Sequence, residues 1–277
     1  MYDQIENNIL KFFMPSELVI VWFVILGLAS GLLGGLLGIG GGVITVPILF
    51  FIFQYTGIIE ERMMQVAVST SLAAAVITSA VSTFAQWKMK AIRFSVFKLL
   101  VPGLVVGCLL GSLVGHFLSS DLLKVIFGGM AILLGVYFFF PQLPQPYIRS
   151  SPNWSLSFFS LLIGTLSSML GLGGGALTFP VLMSYQVPAK NSSATSSLST
   201  LLTTVLGSIG YLLIAWRNPE LSQTFGYIEI PAFIAISVGS VVTAPIGVYL
   251  SRVLNVTLIK QIFGCCLALT GLSMLLR

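Results

Sequence analysis

The residues whose type and spacing could do chemistry lie in two runs of glycine. Gly38-Ile39-Gly40-Gly41-Gly42-Val43-Ile44-Thr45-Val46-Pro47 returns later as Gly171-Leu172-Gly173-Gly174-Gly175-Ala176-Leu177-Thr178-Phe179-Pro180. Inside a helix each glycine costs about 1 kcal/mol relative to alanine, so both runs mark places where bare backbone is wanted. Where such a run opens a helix, the first N–H groups lack intrahelical partners and the helix dipole adds positive potential, which suits an anion. Gly41, Gly42, Gly174 and Gly175 are the expected donors. The hydroxyls of Thr45, Ser69, Ser71, Thr178, Thr195 and Ser197 are the nearest groups to complete a ligand shell. The competing reading is structural: glycine permits a tight turn and close packing.

Absent residue types narrow the chemistry. No Asp, Glu, Lys or Arg falls at the centre of an apolar segment, although proton relays and cation sites usually need one. Lys98 and Glu229 stand near segment starts, where long polar side chains reach the interface. His116, the single histidine, sits near a segment end as an interfacial residue, and Gln86 and Asn191 are placed to cap or join helices. A neutral polar site suits a small anion balanced by backbone dipoles. The glycine block does not match the G-x-G-x-x-G dinucleotide pattern and lacks the lysine of a P-loop. No Ser/His/Asp set or metal-spaced His/Cys cluster is visible. Neither enzyme chemistry nor a cofactor or metal is therefore expected. Cys108, Cys265 and Cys266 lie in apolar segments and read as small hydrophobes.

The elements that position these residues must lie in a lipid bilayer. The chain is 56% hydrophobic and 8% charged, against about 25% charged in an average soluble domain. Its net charge of +5 comes from basic residues scattered singly in short loops, which orient spans rather than form a nucleic-acid face. Residues 1–15 lack a basic leader with a cleavage site and read as an interfacial segment. A first transmembrane repeat covers 16–140, with apolar segments at 16–38, 43–55, 62–87, 94–118 and 122–140. The second of these is short and contains Pro47, as a broken or re-entrant half-helix would. A proline-rich linker, 141–153, separates it from a second repeat over 154–277, with segments at 154–171, 176–186, 189–216, 227–250 and 256–276.

The halves match block by block. Ser69-Thr70-Ser71-Leu72 corresponds to Thr195-Ser196-Ser197-Leu198, and Lys124-Val125-Ile126-Phe127-Gly128 to Lys260-Gln261-Ile262-Phe263-Gly264. An internal duplication follows. Lys88, Lys90, Arg93 and Lys98 cluster at one connection, which the positive-inside rule assigns to the cytoplasm. In the second half the basic residues move to the other connections, at Lys190, Arg252 and Lys260. That is the pattern of two halves of opposite orientation, with both chain ends outside. The expected fold class is an all-α polytopic membrane protein of two inverted-topology repeats with about eight to ten membrane segments. Four spans per half in a parallel repeat, with a shallow second segment, is the competing arrangement.

The paired Gly38-to-Pro47 and Gly171-to-Pro180 blocks, with the Ser/Thr-rich third segments, resemble the TauE/SafE family of membrane transporters, the sulfite exporter type. The resemblance runs from Leu18 to Leu276. It implies carriage of sulfite, sulfonates or related small organic anions across a prokaryotic inner membrane. The partners expected are that small anion and the lipid bilayer, with no nucleic acid. A secondary transporter with alternating access about a central site is the function it implies. A passive anion channel and a non-transporting membrane partner or sensor remain open as other classes.

Overall fold

The computed structural model describes residues 16–57, 62–140, 154–216, 227–254 and 256–276. The 1–15 segment, the whole 141–153 linker and the Glu60, Glu61, Arg217 and Glu220 positions lie outside them. The described residues form ten helices: α1 Ser16–Leu37, α2 Gly42–Thr56, α3 Met63–Lys88, α4 Phe94–Phe117, α5 Ser120–Phe139, α6 Trp154–Leu170, α7 Gly175–Ser184, α8 Ala189–Ala215, α9 Ile230–Val253 and α10 Val256–Leu276. The chain is an all-α polytopic membrane protein, with seven helices long and apolar enough to cross a bilayer among the described residues. The two short glycine-led helices and α6 fall below that length. At 1.5 Å per residue, the 17 residues of α6 rise about 25 Å.

Helix limits follow local chemistry. Pro47 and Pro180 sit inside α2 and α7, where each removes an intrahelical donor. The start of α9 lies at Ile230, three residues later than the apolar pattern from Tyr227 implies. Glu229 explains the difference: its carboxylate accepts from the Ala232 N–H at 2.6 Å, and Pro231 follows in the first turn. Burial pushes the Glu229 carboxyl up, and the Ala232 N–H pulls it back.

The helices of the two halves interlock. Gly27, Gly31 and Gly35 of α1 lie against Ile236, Ser240 and Ala244 of α9, so these helices run side by side in one direction. Likewise Gly103, Gly107 and Gly111 of α4 lie against Ser157, Leu161 and Thr165 of α6. A Cβ on Gly107 or Gly111 would strike α6 backbone carbonyl oxygen, so the four-residue glycine spacing is used for close helix approach. Gly128 and Gly135 of α5 meet Gly271 and Gly264 of α10, in opposite order, so that pair is antiparallel. So are α3 and α8: Ser79 approaches Thr204, while Ala91 just beyond α3 accepts from Asn191 near the start of α8. Each half's first helix therefore packs on the fourth helix of the other half, and α3 and α8 form the central pair.

This pairing separates charge between the ends. Lys88, Lys90, Arg93, Lys98, Lys190, Arg252 and Lys260 gather at the end where α3 finishes and α8 begins, with no acidic residue among the described residues there. The opposite end carries Arg62 and Lys124 together with Asp121 and Glu229.

Candidate functional site

Both glycine runs fold as the same turn. Gly38, Gly40 and Gly41 have φ of 71°, 80° and 75°, and Gly171, Gly173 and Gly174 have 72°, 75° and 81°. This left-handed region favours residues without a Cβ. Ile39 N–H donates to Gly34 O at 3.1 Å, and Leu172 N–H donates to Ser167 O at 3.1 Å. Behind the first turn the chain reverses: Gly41 lies against Ser30 and the Phe53 ring reaches Phe23 at 6.4 Å, so α1 and α2 form a hairpin.

The two turns touch each other between α3 and α8. A Cβ on Gly42 would strike Gly171 O, and a Cβ on Gly175 would strike Gly38 O. The contact is reciprocal, and it requires that neither helix start carry a side chain. Gly40 lies against Ala75 and Thr200, and Gly173 against Thr200 and Thr204, so both turns sit on the same stretch of the central pair.

The candidate residues of the sequence reading distribute around this contact. Gly41 and Gly174 are the residues before α2 and α7, and Gly42 and Gly175 are their first residues. Thr45 and Thr178 donate back to Gly41 O at 3.1 Å and Gly174 O at 2.9 Å. Ser197 donates to Ser193 O at 3.1 Å. Each hydroxyl has one proton to donate, so these three must release a carbonyl before donating to an anion. Ser71 approaches Gly42 O at 3.5 Å, and Ser69 is buried with no partner among the described residues. Thr195 lies away from the turns, accepting from Arg93 N–H at 3.1 Å. Its counterpart contact is Thr70, which accepts from Glu229 N–H at 3.0 Å. In both cases a hydroxyl from the central pair holds the residue that opens a fourth helix.

Sequence reasoning missed the residues that fasten the turns. Thr203 donates to Gly173 O at 2.7 Å, while Thr200, whose single proton lies closer to Ser196 O at 2.8 Å, stands 3.1 Å from Gly38 O, so α8 lies against one carbonyl of each turn. The available signal was the continuation of hydroxyl residues one and two turns beyond Ser197. Asn191 joins helices as expected, through Ala91 O at 2.7 Å. Gln86, expected to cap or join, lines a cavity at the basic end.

At the opposite end a polar clasp closes the bundle. Arg62 Nη1 donates to Tyr227 Oη at 3.0 Å and to His116 O at 3.2 Å, and lies 3.2 Å from His116 Nδ1. Tyr227 Oη also stands 2.9 Å from His116 Nδ1, so the three side chains form one polar cluster. Burial pushes the Tyr227 phenol up while Arg62 pulls it down. Gln65 adds a second link, donating to Leu118 O at 2.7 Å and accepting from Ser120 at 2.8 Å.

Comparison with known proteins finds membrane transporters similar to this chain. The chain is 30% identical over 271 residues to a protein of Methanocaldococcus jannaschii described as a "Probable membrane transporter protein", covering 97% of this chain and all of that one. It is 27% identical over 256 residues to a protein of Haemophilus influenzae with the same description, covering 92% and 97%. A segment of 69 residues is 30% identical to sulfite exporter TauE/SafE family protein 5 of Arabidopsis thaliana, covering 25% of this chain and 15% of that one. No solved structure matches. The family described as sulfite exporter TauE/SafE matches residues 23–274, nearly the whole stretch on which the doubled glycine turns and their helices lie. The chain thus belongs to the TauE/SafE family, a family of membrane transporters and not of enzymes.

Proposed function

We propose that the protein is a secondary transporter that moves sulfite, a sulfonate or a related small organic anion by alternating access about the meeting point of the two glycine turns. The observation that carries this reading is the reciprocal seating of the turns, which places the starts of two broken helices at one point inside the bundle. Gly41, Gly42, Gly174 and Gly175 supply backbone donors there, and Ser69, Ser71, Thr45, Thr178 and Ser197 supply hydroxyls as the halves move, whereas Thr195, expected in the same shell, holds the start of α4 instead. Two inverted repeats, 16–140 and 154–277, rock against one another. The reading is supported by the running directions of α1 with α9, α4 with α6, and α3 with α8.

The basic end faces the cytoplasm of a prokaryotic inner membrane, in keeping with the positive-inside rule, and both chain ends face outward. A reporter active only outside the membrane, fused at the C-terminus, is expected to be active. Cytoplasmic activity there would overturn the orientation. Each negative charge leaving an inside-negative cell gains about 2.3 kcal/mol per 100 mV, which favours export.

The functional test is flux in proteoliposomes of the full chain with sulfite, sulfate, thiosulfate, sulfoacetate and carboxylates. Saturable flux with counterflow driven by unlabelled substrate is expected. Flux without counterflow would mean a pore, and no flux for any anion would remove transport of this class.

A further inference from the structure

The described structure has a cavity at the basic end, beside the first glycine turn. It lies between the end of α1, α3, α7, the start of α8, the end of α9 and α10. Its polar lining comes from Gln86, Lys190, Ser193, Ser251 and Arg252. Three independent features point to a ligand. Lys190 and Arg252 bring positive charge from different helices, and no carboxylate pairs with either among the described residues. Ser193 is 92% buried (8% exposed) and its hydroxyl has no hydrogen-bond partner there, a costly arrangement unless something accepts from it. Lys260 is 7% exposed, and its Nζ lies 5.0 Å from the ring centroid of Phe179, itself a wall of the cavity. Buried lysine is ordinarily paired, and among the described residues this one has only an aromatic face.

We infer that this cavity is a receiving site for a small, multiply charged oxyanion, bound by Lys190 and Arg252, with the Ser193 hydroxyl donating at its floor and Lys260 supplying buried positive charge behind Phe179. Three cations with no acidic neighbour favour a divalent ligand over a monovalent one. The site rests on the reading of the chain as an anion transporter and adds where the anion is first held. Ser193 O and the Ser197 hydroxyl lie against Gly38, so the floor of the cavity adjoins the first glycine turn. An anion held there stands next to the proposed central site.

Binding to purified full chain by isothermal titration tests this, with sulfite and sulfate as divalent probes against acetate and nitrate. The divalent probes are expected to bind more tightly. Arg252→Gln and Lys260→Gln should each weaken sulfate binding roughly tenfold, the loss of about 1.4 kcal/mol, while Lys260→Arg retains it. Ser193→Ala should weaken binding several-fold with no change in thermal unfolding, because the hydroxyl has no partner in the fold. Lys98→Gln removes the same charge from an exposed position at the same end and should bind as the parent does. Equal binding of acetate and sulfate, or unchanged sulfate affinity in Arg252→Gln and Ser193→Ala, would overturn the site. Such a result beside intact proteoliposome flux leaves transport standing and removes only this cavity. Charge-dependent binding without flux does the reverse.

Discussion

Gly175→Val is expected to abolish transport and to lower stability by about 3 kcal/mol or more. Overpacking a tight interior costs about 1–3 kcal/mol where neighbours can move, and here two of the three nearest atoms are backbone. The new Cβ would meet Gly38 O, the Thr200 hydroxyl and Ile39 Cα, the last at 2.7 Å. Moving them pulls the first turn off α8, where the Thr200 hydroxyl lies 3.1 Å from Gly38 O. Gly175→Ala should show the same defect at lesser severity, since the collision is with Cβ itself. Gly129→Ala is the control, because a Cβ there meets nothing within 4 Å. Unfolding of purified protein and flux of the same preparations give the two readouts. Parental flux in Gly175→Val would mean that the meeting of the turns has no part in transport.

Arg62→Met is expected to open the end opposite the basic cavity. The guanidinium joins the start of α3 to the end of α4 and to Tyr227 ahead of α9, through His116 O and Tyr227 Oη. A hydrogen bond to a charged group contributes about 1.5–3 kcal/mol. Because Arg62 is exposed, the lower figure applies, and about 1.4 kcal/mol shifts a two-state equilibrium roughly tenfold. A cysteine at Met64, fully buried beside the clasp, reports the shift once Cys108, Cys265 and Cys266 are replaced by Ala. An impermeant thiol reagent should modify it about tenfold faster in Arg62→Met. Equal rates would show that the clasp does not hold that end shut.

The helices were legible because their limits are written in local chemistry. The glycine runs and the gaps around Met89 and Ser119 mark breaks that need no knowledge of neighbours, whereas Pro47 and Pro180 are carried inside α2 and α7. The pairing was not. Gly107 and Gly111 announce that some helix comes close, but their spacing is the same whichever helix it is, and only the folded chain identifies α6. Thr45 and Thr178 read as free hydroxyls in sequence, yet the carbonyl one helical turn back captures both. The basic cavity was hidden for another reason. Lys190, Arg252 and Lys260 belong to three helices, and each alone is an ordinary charge that orients a span. Convergence is a property of tertiary structure, as is the clasp that brings Arg62 to Tyr227 across 165 residues.

The crossed pairing of the halves also sets a clock on biogenesis. Gly27, Gly31 and Gly35 of α1 fit against α9, whose first residue is Ile230. The contact surface of the first helix is therefore complete roughly 200 residues before its partner exists, which at about 5–20 residues per second is some 10–40 s of synthesis. For that interval the glycine face of α1 has only lipid, or another membrane helix, to lie against. A chain arrested after its first half would hold this surface open indefinitely, so the first half cannot reach its final packing before the second has been made.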